Sequence, residues 1–219
     1  MSKDVKILAV IALTIIAAAI IGSYYYRSSV QSERRPQANP ALVRDDSASL
    51  GPADAKVTVV EFLDPECESC AAFGPVVKKI MADHDGRIRL VVRYMPLHPN
   101  SIPAANFLEA ALEQGKYWPA QELLFRKQSE WGERHGAPAT APKPDIPALF
   151  EKYAQELGLD SAKVADAIKQ NRYAAKIERD RRDGQSLGVR QTPSFFVNGR
   201  RLARFSEADL RSLIQEELK

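Results

Sequence analysis

Residues 56–77 read KVTVVEFLDPECESCAAFGPVV. The first eight, 56–63, are mostly β-branched and apolar, the composition of a buried strand. A helical pattern follows through Phe73, Val76, Val77 and Ile80. A second strand pattern, RIRLVVRYM at 87–95, ends at Pro96. Strand, helix and strand in this order make a βαβ unit, which implies that the two strands are parallel.

Between the first strand and the helix lie Cys67 and Cys70, the two cysteines of the chain. A sulfur at the start of a helix meets free backbone N–H groups and the positive end of the helix dipole, and both favour its thiolate. A second sulfur one turn later can close a disulfide with it. Attacking and resolving thiols in this arrangement suit thiol–disulfide exchange. The same spacing also serves half a zinc or copper site. The three histidines, His84, His98 and His135, show no metal-ligand spacing with one another or with the cysteines. One cysteine pair cannot build a multi-bridge framework, and a chain of 219 residues does not need a staple.

Downstream, Pro103 suits the first turn of a helix carrying Phe107, Leu108, Ala111 and Leu112 on one face. Further helical patterns run over about 117–131, 146–157, 161–170 and 172–186, with Gly158 as a C-terminal cap. The Pro-rich segment 134–145 reads as a surface loop. Strand character returns at 194–205, where Asn198-Gly199 is a hairpin signal, and Ser206 with Asp209 opens a last helix. Arg200, Arg201 and Arg204 read as a solvated hairpin. The order is βαβ, a helical block over about 102–187, then ββα.

The N-terminus differs. After a short stub at 1–6, the run ILAVIALTIIAAAIIGSYYY at 7–26 holds 20 residues without a charge. At about 1.5 Å per residue it can cross a hydrocarbon core of roughly 30 Å. Its small residues lie inside the apolar run, which favours an uncleaved signal anchor over a cleaved signal. Lys3 and Lys6 precede it and Arg27, Arg34 and Arg35 follow, so charge does not set its orientation. Residues 27–50 lack apolar periodicity and read as a tether. A net charge of +3, with 31 basic residues among 28 acidic ones, gives no footprint for nucleic acid.

Several segments together resemble the DsbA family of thiol–disulfide oxidoreductases, an α/β thioredoxin-like fold with an inserted helical domain. They are GPADAKVTVVEFLDPEC at 51–67, EQGKYWPAQELLF at 113–125 and GVRQTPSFFVNG at 188–199, with Pro75 five residues after Cys70. The resemblance covers about 51–219. It implies that Cys67 attacks or is attacked, that Cys70 resolves the mixed disulfide, and that Glu61 is a buried acid relaying a proton. It also implies a cis bond at Thr192-Pro193 that docks an extended polypeptide. No cofactor is implied. The implied partners are thiol- or disulfide-bearing polypeptides and a membrane redox partner that recycles the dithiol. With the anchor, the expected place is a bacterial inner membrane, single-pass, with the catalytic domain outside the cytoplasm. A reductase or isomerase of the same fold is the alternative within the class. A Cu(I)- or Zn(II)-binding module and a redox-silent peptide-binding chaperone are alternatives from other classes.

The chain departs from the family pattern between the cysteines. Strongly oxidising members carry a His there, and this chain has Glu68-Ser69, preceded by Glu66. A carboxylate about 7 Å from the sulfur costs a thiolate roughly 0.6 kcal/mol in water and about 2.4 kcal/mol at an effective dielectric of 20. Glu66, Glu68 and Ser69 are therefore candidate tuning residues, expected to raise the Cys67 pKa and make a milder oxidant.

Overall fold

The structure, a computed structural model, describes residues 16, 17, 19, 21–23, 39–133 and 144–219. The expected anchor, apart from six helical positions within 16–23, and the tether as far as residue 38 lie outside the described residues, as does most of the Pro-rich loop. Among the described residues no helix is long and apolar enough to cross a membrane. The chain divides into two units, Met1–Asn39 and Pro40–Lys219. The second unit carries both cysteines.

Its elements in order are β1 (Ser49–Leu50), β2 (Val57–Leu63), α1 (Glu68–Asp83), β3 (Ile88–Tyr94), α2 (Ser101–Leu112), α3 (Tyr117–Arg126) and α4 (Gln128–Trp131). Then come α5 (Ile146–Glu156), α6 (Ser161–Lys169), α7 (Ala174–Ser186), β4 (Ser194–Val197), β5 (Arg200–Arg201) and α8 (Glu207–Leu218). The sheet runs β1-β3-β2-β4-β5. Central β2 pairs parallel with β3 and antiparallel with β4, so that Glu61 lies opposite Val92 on one side and Phe195 on the other. Flanking strands on both edges and helices on both faces explain why β2 is apolar along nearly its whole length.

Alternation along β2 assigns its side chains. Val57 and Val59 pack with Val77 and Ile80 of α1 and with Leu210, Leu213 and Ile214 of α8. Glu61 shares their parity and so faces the α1 side. Val60 and Phe62 face the other layer, where a Cβ at Gly184 of α7 would stand 2.9 Å from the Phe62 ring. A glycine there lets α7 lie directly on β2.

The inserted helices build their own core around Phe107, Trp131, Phe150 and Tyr153. The helix expected over 117–131 breaks at Lys127 into α3 and α4, and the Trp131 indole N–H donates back to the Leu124 carbonyl at 2.9 Å. The hairpin turn has Asn198 at φ 46° and Gly199 at φ 84°, and Ser206 caps α8 by accepting from the Asp209 N–H at 3.1 Å.

The tether expected over 27–50 needs a correction at its C-terminal end. Residues 40–50 belong to the folded unit: Leu42 and Ala48 are buried, and β1 pairs antiparallel with β3. Arg44 binds Asp183 through two 3.0 Å hydrogen bonds. Arg93 of β3, fully buried, donates to Ala41 O at 2.8 Å, to Asp180 at 2.7 and 3.0 Å, and to Asp183 at 2.6 Å. Isolated buried residues, a two-residue strand and ion pairs have no period, so the segment carries no signal of its own.

Candidate active site

Cys67 occupies the N-cap of α1 in extended backbone conformation (φ −72°, ψ 120°). Its N–H donates to Asp64 O at 3.1 Å, closing the tight turn that carries β2 into the helix. Both cysteines are free thiols; Cys70 is fully buried and Cys67 is 8% exposed. The Cys67 pKa is drawn down to about 5. The hydrogen bond from Cys70 is the largest cause; burial opposes it, and the Thr192 side chain and the backbone N–H groups of Cys70 and Ser69 add to it. Burial pushes the Cys70 thiol far up, with the neighbouring Cys67 and Glu61 acting in the same direction. One sulfur is thus poised as a nucleophile and leaving group, and the other is held protonated.

The Cys67 thiol lies 3.3 Å from Thr192 O, to which it donates, although 125 residues separate them. The Thr192–Pro193 peptide bond is cis. Beyond it, a cleft of about 380 Å³ runs past Pro193, Ser194 and Phe195 to Phe205 on the far side of the hairpin. Phe205 is 45% exposed and packs on Phe73 of α1 with ring centres 4.6 Å apart.

Glu61 is buried, and its pKa is raised to about 8, first by burial and then by the negative charge on Cys67. It also borders a cleft of about 530 Å³ between α1 and α3, walled by Ala71, Gly74, Pro75 and Phe125. The second cause has a consequence for chemistry. Once Cys67 is tied up in a mixed disulfide its charge is gone, the Glu61 pKa falls, and the carboxylate becomes available when Cys70 must lose its proton. Glu61→Gln should therefore slow the attack of Cys70 on a Cys67–glutathione adduct by on the order of 10²-fold at neutral pH. Rapid mixing that follows glutathione release checks this, and an unchanged rate removes Glu61 from the relay. The folded protein holds the Glu61 proton up to about pH 8, whereas an unfolded carboxyl loses it near 4.5. Stability therefore falls as pH rises through that window, and the Gln variant should lose that slope in urea titrations.

The glutamates flanking the dithiol differ in kind. Glu68 and Ser69 are exposed at the start of α1. Glu66 is buried: its Oε1 accepts from Asn100 Nδ2 at 2.9 Å and from the Glu133 N–H at 2.8 Å, and its Oε2 accepts from the Asn100 N–H at 2.5 Å. The Cys67 pKa nevertheless lies below the ordinary cysteine value, and the main influences on it are the hydrogen bonds to the sulfur, which lower it, and burial, which opposes them, not the flanking carboxylates. Glu66 ties the dithiol turn to the inserted helices.

The sequence reading missed a second cluster. Asp64, with no exposure, accepts four hydrogen bonds: from the Glu66 N–H (2.9 Å) and Ser101 Oγ (2.6 Å) on Oδ1, and from the Leu97 N–H (2.7 Å) and His98 Nδ1 (2.7 Å) on Oδ2. Three of these partners lie more than 30 positions downstream, so no local spacing marks the cluster. Among the described residues, no group of three or more His, Cys, Asp or Glu gathers as metal ligands do.

A thioredoxin family model matches residues 44–216. Among solved structures, the chain is similar to oxidised BdbD from Bacillus subtilis, with 26% identity, TM-score 0.69, and 79% of this chain and 93% of that one covered. It is also similar to a thioredoxin-like oxidoreductase from Silicibacter pomeroyi, with 26% identity, TM-score 0.66, and 81% and 96% covered. Wolbachia pipientis α-DsbA1, at 18% identity and TM-score 0.70 over 84% and 96% of the two chains, shares the fold. Among curated proteins, the chain is 36% identical over 154 residues to the Na(+)/H(+) antiporter NhaA 3 of Salinispora tropica, covering 69% of this chain and 21% of that protein. The figures for the Na(+)/H(+) antiporter NhaA of Herminiimonas arsenicoxydans are 34% over 152 residues, 69% and 22%. The chain spans about a fifth of the length of these curated relatives.

Proposed function

The chain belongs to the thioredoxin family, and from that premise we propose that it oxidises protein dithiols through the Cys67–Cys70 disulfide. The observation that carries this reading is the sulfur of Cys67 at the head of α1, with Cys70, Thr192 and two backbone N–H groups lowering its pKa to about 5. A stabilised thiolate favours the reduced protein, so its disulfide is readily given away. Sodium–proton exchange is not carried over, because the likeness to the antiporters covers a fifth of them and this site is a dithiol.

A substrate thiolate attacks Cys67 of the disulfide. The Cys67–substrate bond forms, and Cys70 leaves and takes up the proton of Glu61. A second substrate thiol, once deprotonated, attacks its own sulfur in the mixed disulfide and expels Cys67 as a thiolate. Two electrons pass from the substrate to the protein: the substrate gains a disulfide, Cys70 ends as a thiol and Cys67 as a thiolate, and the proton of the second substrate thiol replaces the one that Glu61 gave. The cleft past Pro193 holds the substrate chain, and Glu66 keeps the turn in place. Re-oxidation takes two electrons away through a membrane redox partner. The uncharged run at 7–26 supports an anchored protein, and the side is argued from the cysteines: a disulfide to be given away favours the extracytoplasmic face.

Equilibrating the protein in glutathione buffers tests the direction of flow. The expected potential lies nearer DsbA, about −120 mV, than thioredoxin, about −270 mV. The thiolate absorbance of the reduced protein should appear as pH rises through about 5. A potential near that of thioredoxin would replace the oxidant by a reductase.

A further inference from the structure

We propose that the cleft between α1 and α3 is a ligand site for an uncharged aromatic molecule with a hydrogen-bond acceptor, which the Glu61 carboxyl holds and which restrains that carboxyl as a proton relay while bound. The inference deepens the dithiol function proposed for the chain, because it names a ligand class that acts on the same acid.

The cleft, about 530 Å³, has the size of a small-molecule pocket. On α1 its wall is Ala71, Gly74, Pro75 and Lys78, one helix face at spacings of three and four that begins next to Cys70. On α3, Trp118 and Phe125 supply aromatic surface. A Cβ at Gly74 would stand 3.3 Å from the Phe125 ring, so the ring lies against the backbone of α1. Aromatic side chains opposite small ones suit a flat apolar molecule. Charge argues that the molecule is neutral. Lys78 pairs with Glu122 at 3.0 Å, and Arg126 lies 3.8 Å from Glu156. The cations of the wall already face carboxylates.

The polar anchor is Glu61. It is 4% exposed and lines the cleft, and no described residue gives its carboxyl a hydrogen bond. Burial and the Cys67 charge both keep it protonated at neutral pH. A protonated carboxyl among apolar walls has an O–H to donate, and a buried donor left without a partner is costly. A carbonyl on the ligand supplies the partner without bringing a charge into the fold.

The titratable groups coupled to Glu61 are Cys67 and Cys70 of α1 and Tyr117 of α3. Its neighbours on β3 and β4 are the apolar Val92 and Phe195, and the charged groups of the cleft are the paired Lys78, Glu122 and Arg126. Cys67 is ionised above about pH 5, and burial holds Cys70 and Tyr117 protonated. Of the coupled groups, Glu61 is therefore the one that titrates near pH 8. A ligand that needs the protonated form raises the pH at which Glu61 ionises. By the same coupling, fewer carboxylates are ready when Cys70 must lose its proton.

The probe is α-tetralone, a neutral two-ring ketone, and the readout is nuclear magnetic resonance of the reduced wild-type chain. Amide signals of Ala71, Gly74, Trp118 and Phe125 should shift and saturate. The affinity should fall about tenfold from pH 7 to pH 9, as Glu61 ionises through about 8. Tetralin, with the same rings and no carbonyl, should bind on the order of fivefold more weakly at pH 7 and show no such fall. Glu61→Gln keeps an N–H donor and should bind the ketone with an affinity level across this range. Where that variant fails to fold, the comparison of ketone and tetralin on the wild type decides. Absence of saturable shifts at those residues, or equal and pH-independent affinities for the two probes, overturns the site. Restraint of the relay has its own readout. At ten times its dissociation constant, the ketone should slow glutathione release from the Cys67–glutathione adduct by about two- to tenfold, and have no effect on that rate in Glu61→Gln. An unslowed wild-type release with the cleft occupied overturns the restraint. Binding is read without any exchange reaction, so the two readings fail separately. A chain that binds the ketone and exchanges no disulfide keeps the site and loses the proposed function. One that exchanges and binds no ketone keeps the function and loses the site.

Discussion

Cys67→Ala abolishes disulfide exchange, with a fall in rate on the order of 10³-fold or more, because no other sulfur reaches the substrate side of the site. Cys70→Ala has a different signature. The nucleophile survives beside Thr192, at 3.3 Å, but the thiol that releases a trapped partner is gone. That variant should accumulate mixed disulfides through Cys67, visible as reducible adducts on non-reducing gels and absent from Cys67→Ala. The contrast follows from burial: Cys70 is fully enclosed, and its thiol is pushed towards the protonated state, whereas Cys67 keeps 8% exposure and has its pKa near 5. Equal adduct formation by both variants would reverse the assignment of attacking and resolving sulfurs. The Cys70 variant should also show a higher Cys67 pKa than the wild type, because the hydrogen bond from Cys70 is the largest contribution to its depression.

The largest expected loss of stability lies away from the dithiol, at Arg93. Its guanidinium, fully buried on β3, donates to Asp180, Asp183 and Ala41 O. It also lies over the Phe62 ring, 5.7 Å from the centroid. Asp180 is itself fully buried and also accepts from the Tyr94 N–H at 3.2 Å. Arg93→Ala would leave that carboxylate, among the described residues, with only Arg179, 3.9 Å away, as a cation and remove the hydrogen bond that Arg93 gives to Ala41 O. The expected cost is about 3–5 kcal/mol in urea unfolding, against a total of roughly 5–15 kcal/mol for a domain. Removing Asp180 as well should recover part of the loss, since the pair is coupled and the orphaned charge is the main penalty. Additive losses in the double variant would show that the pair does not act as a unit.

The βαβ start, the inserted helices and the closing hairpin were legible because each depends on spacing within a few residues. The Val57–Leu63 run, the helical period of α1 and the Asn198-Gly199 turn meet their geometric requirements locally. The dithiol was legible for the same reason, as two sulfurs three positions apart at a helix start. Glu61 could be placed as buried because its strand neighbours are apolar on both sides. Glu66 could not, because its carboxylate is satisfied by Asn100 and Glu133, 34 and 67 positions away. Residues 40–50 and the Asp64–His98 pair escaped for the same reason.

Spacing within the chain therefore places two sulfurs three positions apart at a helix start after a buried strand, with an acid on that strand. It does not decide the electrostatics. Two acidic neighbours in the sequence argued for a raised Cys67 pKa; in the folded chain one of them is exposed and the other is consumed by hydrogen bonds. Donors on Cys67 come from its own helix, and the side chain of Thr192, far downstream, adds to the same effect. Hydrogen bonds and charges act over a few ångströms of space whatever the separation along the chain, so packing, not neighbourhood in sequence, sets the state of the sulfur.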